Sequence, residues 1–87
     1  MTEPLIFEEH DPDRPAKEAI LRSLPEPDLK ELYHATRAAA QQARAAADMP
    51  FLFRLVRGMK TIQRIAAERG ILIRARLLVA DRPRATR

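Results

Sequence analysis

The 87-residue chain has no cysteine, no tryptophan, two glycines, two histidines and a single serine, Ser23. Each scarcity excludes something. Without cysteine there is no disulfide framework and no thiolate metal site, which fits a reducing compartment. Gly58 and Gly70 stand alone, and neither belongs to a phosphate-cradling loop. His10 lies among acids in a loop, His34 lies in a helical segment, and Ser23 has no histidine near it in sequence. No nucleophile–base pair emerges, so the chain reads as a non-enzyme with no cofactor. The acidic cluster Glu8, Glu9, Asp11 and Asp13 lacks the spacing and glycine of a calcium loop. It reads as an acidic arm, with no metal site. No apolar run approaches the ~20 residues that span a bilayer, and the acidic N-terminus has no signal-peptide character. A cytoplasmic protein with no membrane partner is expected.

A chain of this length buries only about 60–65% of its unfolded surface, and aromatics make up just 5% of its residues. It forms one domain with a thin core. Self-association is the common remedy, so a homo-oligomer is expected.

What is present is charge, and it is split. Residues 1–34 hold nine acidic side chains against four basic ones, a balance of −5. Residues 35–87 hold twelve basic side chains against Asp48, Glu68 and Asp81, a balance of +9, giving the chain its net +4. A half-chain of this kind attracts polyanions, and arginine forks two hydrogen bonds onto a phosphate. It equally attracts the acidic half of its own chain or of a twin.

The pattern predicts a mainly α fold: three helices and a C-terminal strand. In residues 1–12, Leu5-Ile6-Phe7 is a short strand or a docked arm. Asp13 caps a first helix with Pro15 in its opening turn and an apolar face of Ala16, Ile20, Leu21 and Leu24. Pro25 and Pro27 end it. Asp28, with Glu31 three residues on, caps a second helix running to about Ala47, whose seam is Leu29, Leu32, Thr36, Ala39, Ala43 and Ala46. Asp48 caps the third helix, and Gly70 stops it. There Leu52, Leu55, Val56, Met59, Ile62 and Ala66 share an arc of about 120°. Mid-helix Gly58 marks a close helix contact or a slight bend. In residues 71–80, Ile71, Ile73, Ala75, Leu77 and Val79 alternate with Leu72, Arg74, Arg76 and Leu78, a period of two that predicts a strand. That strand pairs with residues 4–9 or with a second subunit. Residues 81–87 form a basic tail.

The sharpest functional candidate is the cationic face of the third helix, Arg54, Arg57, Lys60 and Arg64, on the side opposite its apolar arc. These side chains could track a phosphate backbone, with Phe53 on the same side to stack or wedge. Arg74 and Arg76 would extend the surface, and paired across a twofold they suit a groove-reading ribbon. Residues 61–79 match part of a helix-turn-helix pattern at Ala66, Gly70 and Ile71, but Arg76 falls on a core position and the alternation after Gly70 argues against a recognition helix.

The leading expectation is therefore a small nucleic-acid-binding or regulatory protein. The alternative is a protein–protein interaction module (adaptor, inhibitor or small subunit) in which acids of residues 8–31 pair with third-helix arginines. Arginine is favoured at both kinds of interface. Peripheral membrane binding through a basic amphipathic helix is the weakest reading, because the apolar face of the third helix is better used as core.

Overall fold

The computed structural model describes residues 2–73, which form an extended N-terminal arm and three helices: α1 (Arg14–Ser23), α2 (Glu26–Ala45) and α3 (Met49–Glu68). α3 is the central element. Contacts between Tyr33 and Gln63 at one end, and between Ala40, Ala43, Leu52 and Leu55 at the other, make α2 and α3 an antiparallel hairpin. α1 runs parallel to α3, as the pairs Arg14–Thr61, Glu18–Arg64 and Arg22–Glu68 require.

The hairpin turn is built from two overlapping caps. At the end of α2, the Asp48 N–H bonds the Ala43 carbonyl at 2.9 Å and the Ala47 N–H bonds the Arg44 carbonyl at 3.0 Å. This is the paired-bond C-terminal motif that needs one left-handed residue. Ala47 occupies that place, with φ 59°. Asp48 then caps α3, its side chain accepting from the Phe51 N–H at 3.4 Å. The other end of α3 closes the same way around Gly70, φ +72°, with Ile71 N–H to Ala66 O at 2.8 Å and Gly70 N–H to Ala67 O at 3.1 Å. Gly70 thus serves as the expected stop.

Three corrections concern helix boundaries and faces. α2 starts at Glu26 after Pro25 rather than being capped by Asp28. Pro27 sits in the first turn, where its missing N–H is not needed. Its buried stripe is Leu29, Tyr33, Thr36, Ala40 and Ala43, so Tyr33 and Ala40 replace Leu32 and Ala39, and Ala46 is exposed. In α1, Leu21 is buried and Leu24 half-buried, whereas Ala16 and Ile20 face outward. Ion pairs rather than a wide apolar face fasten α1.

Among the described residues there is no strand. Residues 71–73 have no regular structure, and the rest of the strand expected over 71–80 lies outside the described residues.

The core has two parts. Leu21, Leu29, Tyr33, Ile62, Ile65 and Ala66 form the larger, with Leu5 packed on it. Ala40, Ala43, Leu52 and Leu55 form the smaller, with Ile6 packed on it, and half-buried Met59 touches both. The arm therefore sends successive residues into the two halves of the core. Phe7 follows, fully buried, which contributes about 2 kcal/mol. Its ring lies under the Arg14 guanidinium, 4.4 Å from the centroid, and the Lys17 ammonium, 5.0 Å away, an arrangement favoured by the ring quadrupole.

Candidate interaction surface

The hairpin has two faces, and the chain covers one of them itself. Buried Thr36 on α2 accepts the Leu5 N–H on its hydroxyl at 2.9 Å and donates to the Leu32 carbonyl at 2.8 Å. The Phe7 N–H bonds the Arg54 carbonyl on α3 at 3.2 Å. Gly58, one turn further along α3, makes this approach feasible. A helical β-carbon leans toward the N-terminus and shields the preceding turn. At Gly58 it would run into the Leu5 carbonyl oxygen and lie 2.9 Å from the Leu5 carbonyl carbon. The helix contact expected at Gly58 is corrected: the close approach there is by the arm.

This covering consumes most of the cationic face. Arg54 Nε pairs with Glu8 at 3.1 Å. Arg57 Nη1 donates to the Phe7 carbonyl at 3.3 Å. Arg64 bridges Glu18 at 2.8 Å and Glu68 at 3.1 Å. Arg14 and Arg22 also reach Glu18, at 3.1 and 3.6 Å, and Arg22 reaches Glu68 at 3.3 Å. Three arginines and two glutamates thus tie α1 to α3. Burial raises the Glu18 pKa, but the hydrogen bond from Arg14 and the charges of Arg64 and Arg22 outweigh it, and the net shift is downward. Lys60 alone of the four α3 cations is exposed with no ion-pair partner among the described residues. Arg74 and Arg76 lie outside the described residues. The structure therefore does not gather Arg54, Arg57, Lys60 and Arg64 into one open basic stripe.

The acidic cluster is likewise organised from within. The Asp11 side chain, only 3% exposed, takes the Lys17 ammonium at 2.8 Å, the Glu8 N–H at 3.1 Å and the Asp13 N–H at 2.8 Å. The Lys17 hydrogen bond, then the backbone donor of Glu8, hold its carboxyl at about 2. Asp13 caps α1 by position without a side-chain bond; Asp11 does the fastening. Lys17 also donates to the Ile6 carbonyl at 2.9 Å.

Among the described residues, nothing covers the opposite face of the hairpin. A groove of about 530 Å³ runs between α2 and α3, floored by Ala40, Leu52, Val56 and Met59 and edged by Arg37, Gln41 and Arg44. It exists because α2 presents alanines there, too small to fill the space between helices. Met49 and Phe53, 44% and 52% exposed, share a helical row with Val56 at spacings of four and three, so apolar surface continues past the groove. Arg37 and Arg44 form no ion pair among the described residues. Sequence reading missed both; the signal was their seven-residue spacing along one edge of the alanine seam, with Gln41 between them.

The charge balance of the body follows from the same sequence. Residues 1–73 carry eleven basic and eleven acidic side chains, so the whole +4 excess resides in residues 74–87, with five arginines and Asp81.

Among the described residues, no helix is long and apolar enough to cross a membrane and no cluster of acids or histidines is arranged to hold a metal ion. Comparison with protein-family models, with curated proteins and with solved structures found no match.

Proposed function

We propose that this chain is a small non-enzymatic protein-interaction module, an adaptor, inhibitor or subunit, that meets its partner through the open face of the α2/α3 hairpin. One observation carries the reading: the chain's own acids and arm engage Arg54, Arg57 and Arg64, while Arg37 and Arg44 edge an apolar groove. A phosphate backbone has no use for an apolar floor, whereas a protein surface does. The balance of charge in residues 1–73 points the same way.

Nucleic-acid binding is the second reading, favoured by the five arginines of residues 74–87, Arg74 and Arg76 among them. Fluorescence anisotropy with a labelled duplex and a labelled single strand, at two salt concentrations, separates the two. The protein-interaction reading expects no micromolar binding near about 0.15 M salt. Tight binding that falls steeply with salt replaces it with the nucleic-acid reading. If that binding survives Arg57→Glu with Arg64→Glu but is lost when residues 74–87 are removed, the contact belongs to the C-terminal arginines. Self-association, expected from the small core, is read by sedimentation over a concentration series.

A further inference from the structure

We infer that the α2/α3 groove takes an amphipathic helix with acidic flanks, supplied by another protein; this rests on the protein-interaction reading and names its ligand class. The groove floor, Ala40, Leu52, Val56 and Met59, offers no polar side chain to a ligand. Whatever enters must satisfy its own backbone, because an N–H or C=O buried without a partner is costly. A helix meets that condition by itself. A strand would need a sheet edge, and none exists among the described residues. From Met49 to Met59 the α3 side of the site spans eleven residues, ten rises or roughly 15 Å at about 1.5 Å per residue. That length suits about three turns of helix anchored at positions i, i+3 or i+4, and i+7. The two methionines at its ends are adaptable packing partners.

Charge chooses the flanks. Arg37 and Arg44 stand one heptad apart on the α2 edge, and Lys60 lies on the exposed row of α3 beside Val56. Arginine at such an edge forks onto carboxylates. The same cations disfavour a second copy on this face. A twofold across the groove would set the arginine edges of both copies against one another, and a twofold along it would set them against the Lys60 edge. Nor do the described residues offer a suitable helix, since the acids Glu26, Asp28 and Glu31 of α2 sit on a helix whose apolar stripe already forms core. The apolar run of residues 77–79 is preceded by Arg74 and Arg76, the wrong sign for this rim.

The test uses the full chain and two fluorescein-labelled synthetic helices with identical leucine faces, one flanked by glutamates and one by lysines. The glutamate-flanked peptide is expected to bind in the micromolar range, and the lysine-flanked one at least about tenfold more weakly. Arg37→Glu combined with Arg44→Glu should reverse that order. Val56→Asp, at a half-buried position, should weaken both about tenfold or more while helix content by circular dichroism is unchanged. Equal affinities, no binding at about 100 μM, or a preference that the double charge reversal leaves untouched overturns the inference. So does a dimer that Val56→Asp dissociates, which would make the groove a self-contact. Failure of the peptides without nucleic-acid binding ends this inference alone. A DNA duplex that displaces the peptide and is lost with Arg37 and Arg44 ends the protein-interaction reading as well.

Discussion

The carbonyl of Leu5 rests where a side chain on Gly58 would be. One residue in a twenty-residue helix therefore admits the N-terminal arm to the core. Gly58→Ala should displace the arm. Forcing a methyl against fixed backbone costs about 1–3 kcal/mol, and the gain in helix propensity returns only about 0.5–1 kcal/mol. The expected result is net destabilisation in urea titration. Faster amide exchange should appear at Leu5 and Phe7, with Ile62 little changed.

Thr36 is the matching anchor on α2. Its hydroxyl is fully buried and both of its hydrogen bonds are made. Thr36→Val keeps the shape and leaves the Leu5 N–H without an acceptor, for an expected loss of about 1–3 kcal/mol. Thr36→Ser keeps the acceptor and should lose about 1 kcal/mol for the missing methyl. A valine variant as stable as the serine variant would remove this bond from the account.

Acid should release the arm. The Asp11 carboxyl titrates at about 2 in the folded chain against an ordinary 3.8, and that of Glu18 is also lowered. A depressed carboxylate contributes fully above its unfolded value, and its contribution is lost as pH falls through the folded one. Stability should therefore hold down to about pH 4–5 and decline toward pH 2. Asp11→Asn should be less stable at neutral pH, with a shallower acid decline. Urea midpoints measured from neutral to acidic pH check this; parallel curves for the two proteins would refute the Asp11–Lys17 account.

Ala47 holds a left-handed conformation that glycine adopts without strain. The conformation costs a side-chain-bearing residue about 1–2 kcal/mol, and glycine gives back about 0.5–1 kcal/mol in unfolded-state entropy. Ala47→Gly should stabilise the protein by about 0.5–1 kcal/mol, read as a raised thermal midpoint. A lowered midpoint would show the turn to be relaxed already.

Much of the helical frame was legible. Asp48 and Gly70 bound α3 because capping chemistry is local, and it was read locally. The errors have a common cause in tertiary partners. Pro27 reads as a breaker until the helix is seen to begin one turn earlier, where proline is harmless. Tyr33 is less apolar on paper than Leu32, yet it is buried because Gln63 supplies its hydroxyl with a donor at 3.1 Å. On α3 the buried arc extends to Gly58, Thr61 and Ile65, since the arm and α1 cover a side that a helical wheel assigns to solvent.

The candidate site was less legible. Arg54, Arg57 and Arg64 are visible as a cationic row, but their engagement by Glu8, Phe7 and Glu18 depends on contacts nearly fifty residues apart. Arg37 and Arg44 were visible too, spaced along the alanine seam, but whether those alanines draw α3 close or leave a groove depends on how the two helices pack.

The arm also fixes an order of events in folding. The α2/α3 hairpin closes through near neighbours in sequence, whereas Leu5 and Phe7 must find Gly58 and Arg54 about fifty residues away. Closing so long a loop is slow relative to the hairpin. During synthesis Leu5, Ile6 and Phe7 leave the ribosome before α3 and wait until it has emerged. Truncating Phe7 should accordingly speed unfolding while barely slowing refolding. The arm is made before the hairpin and placed after it.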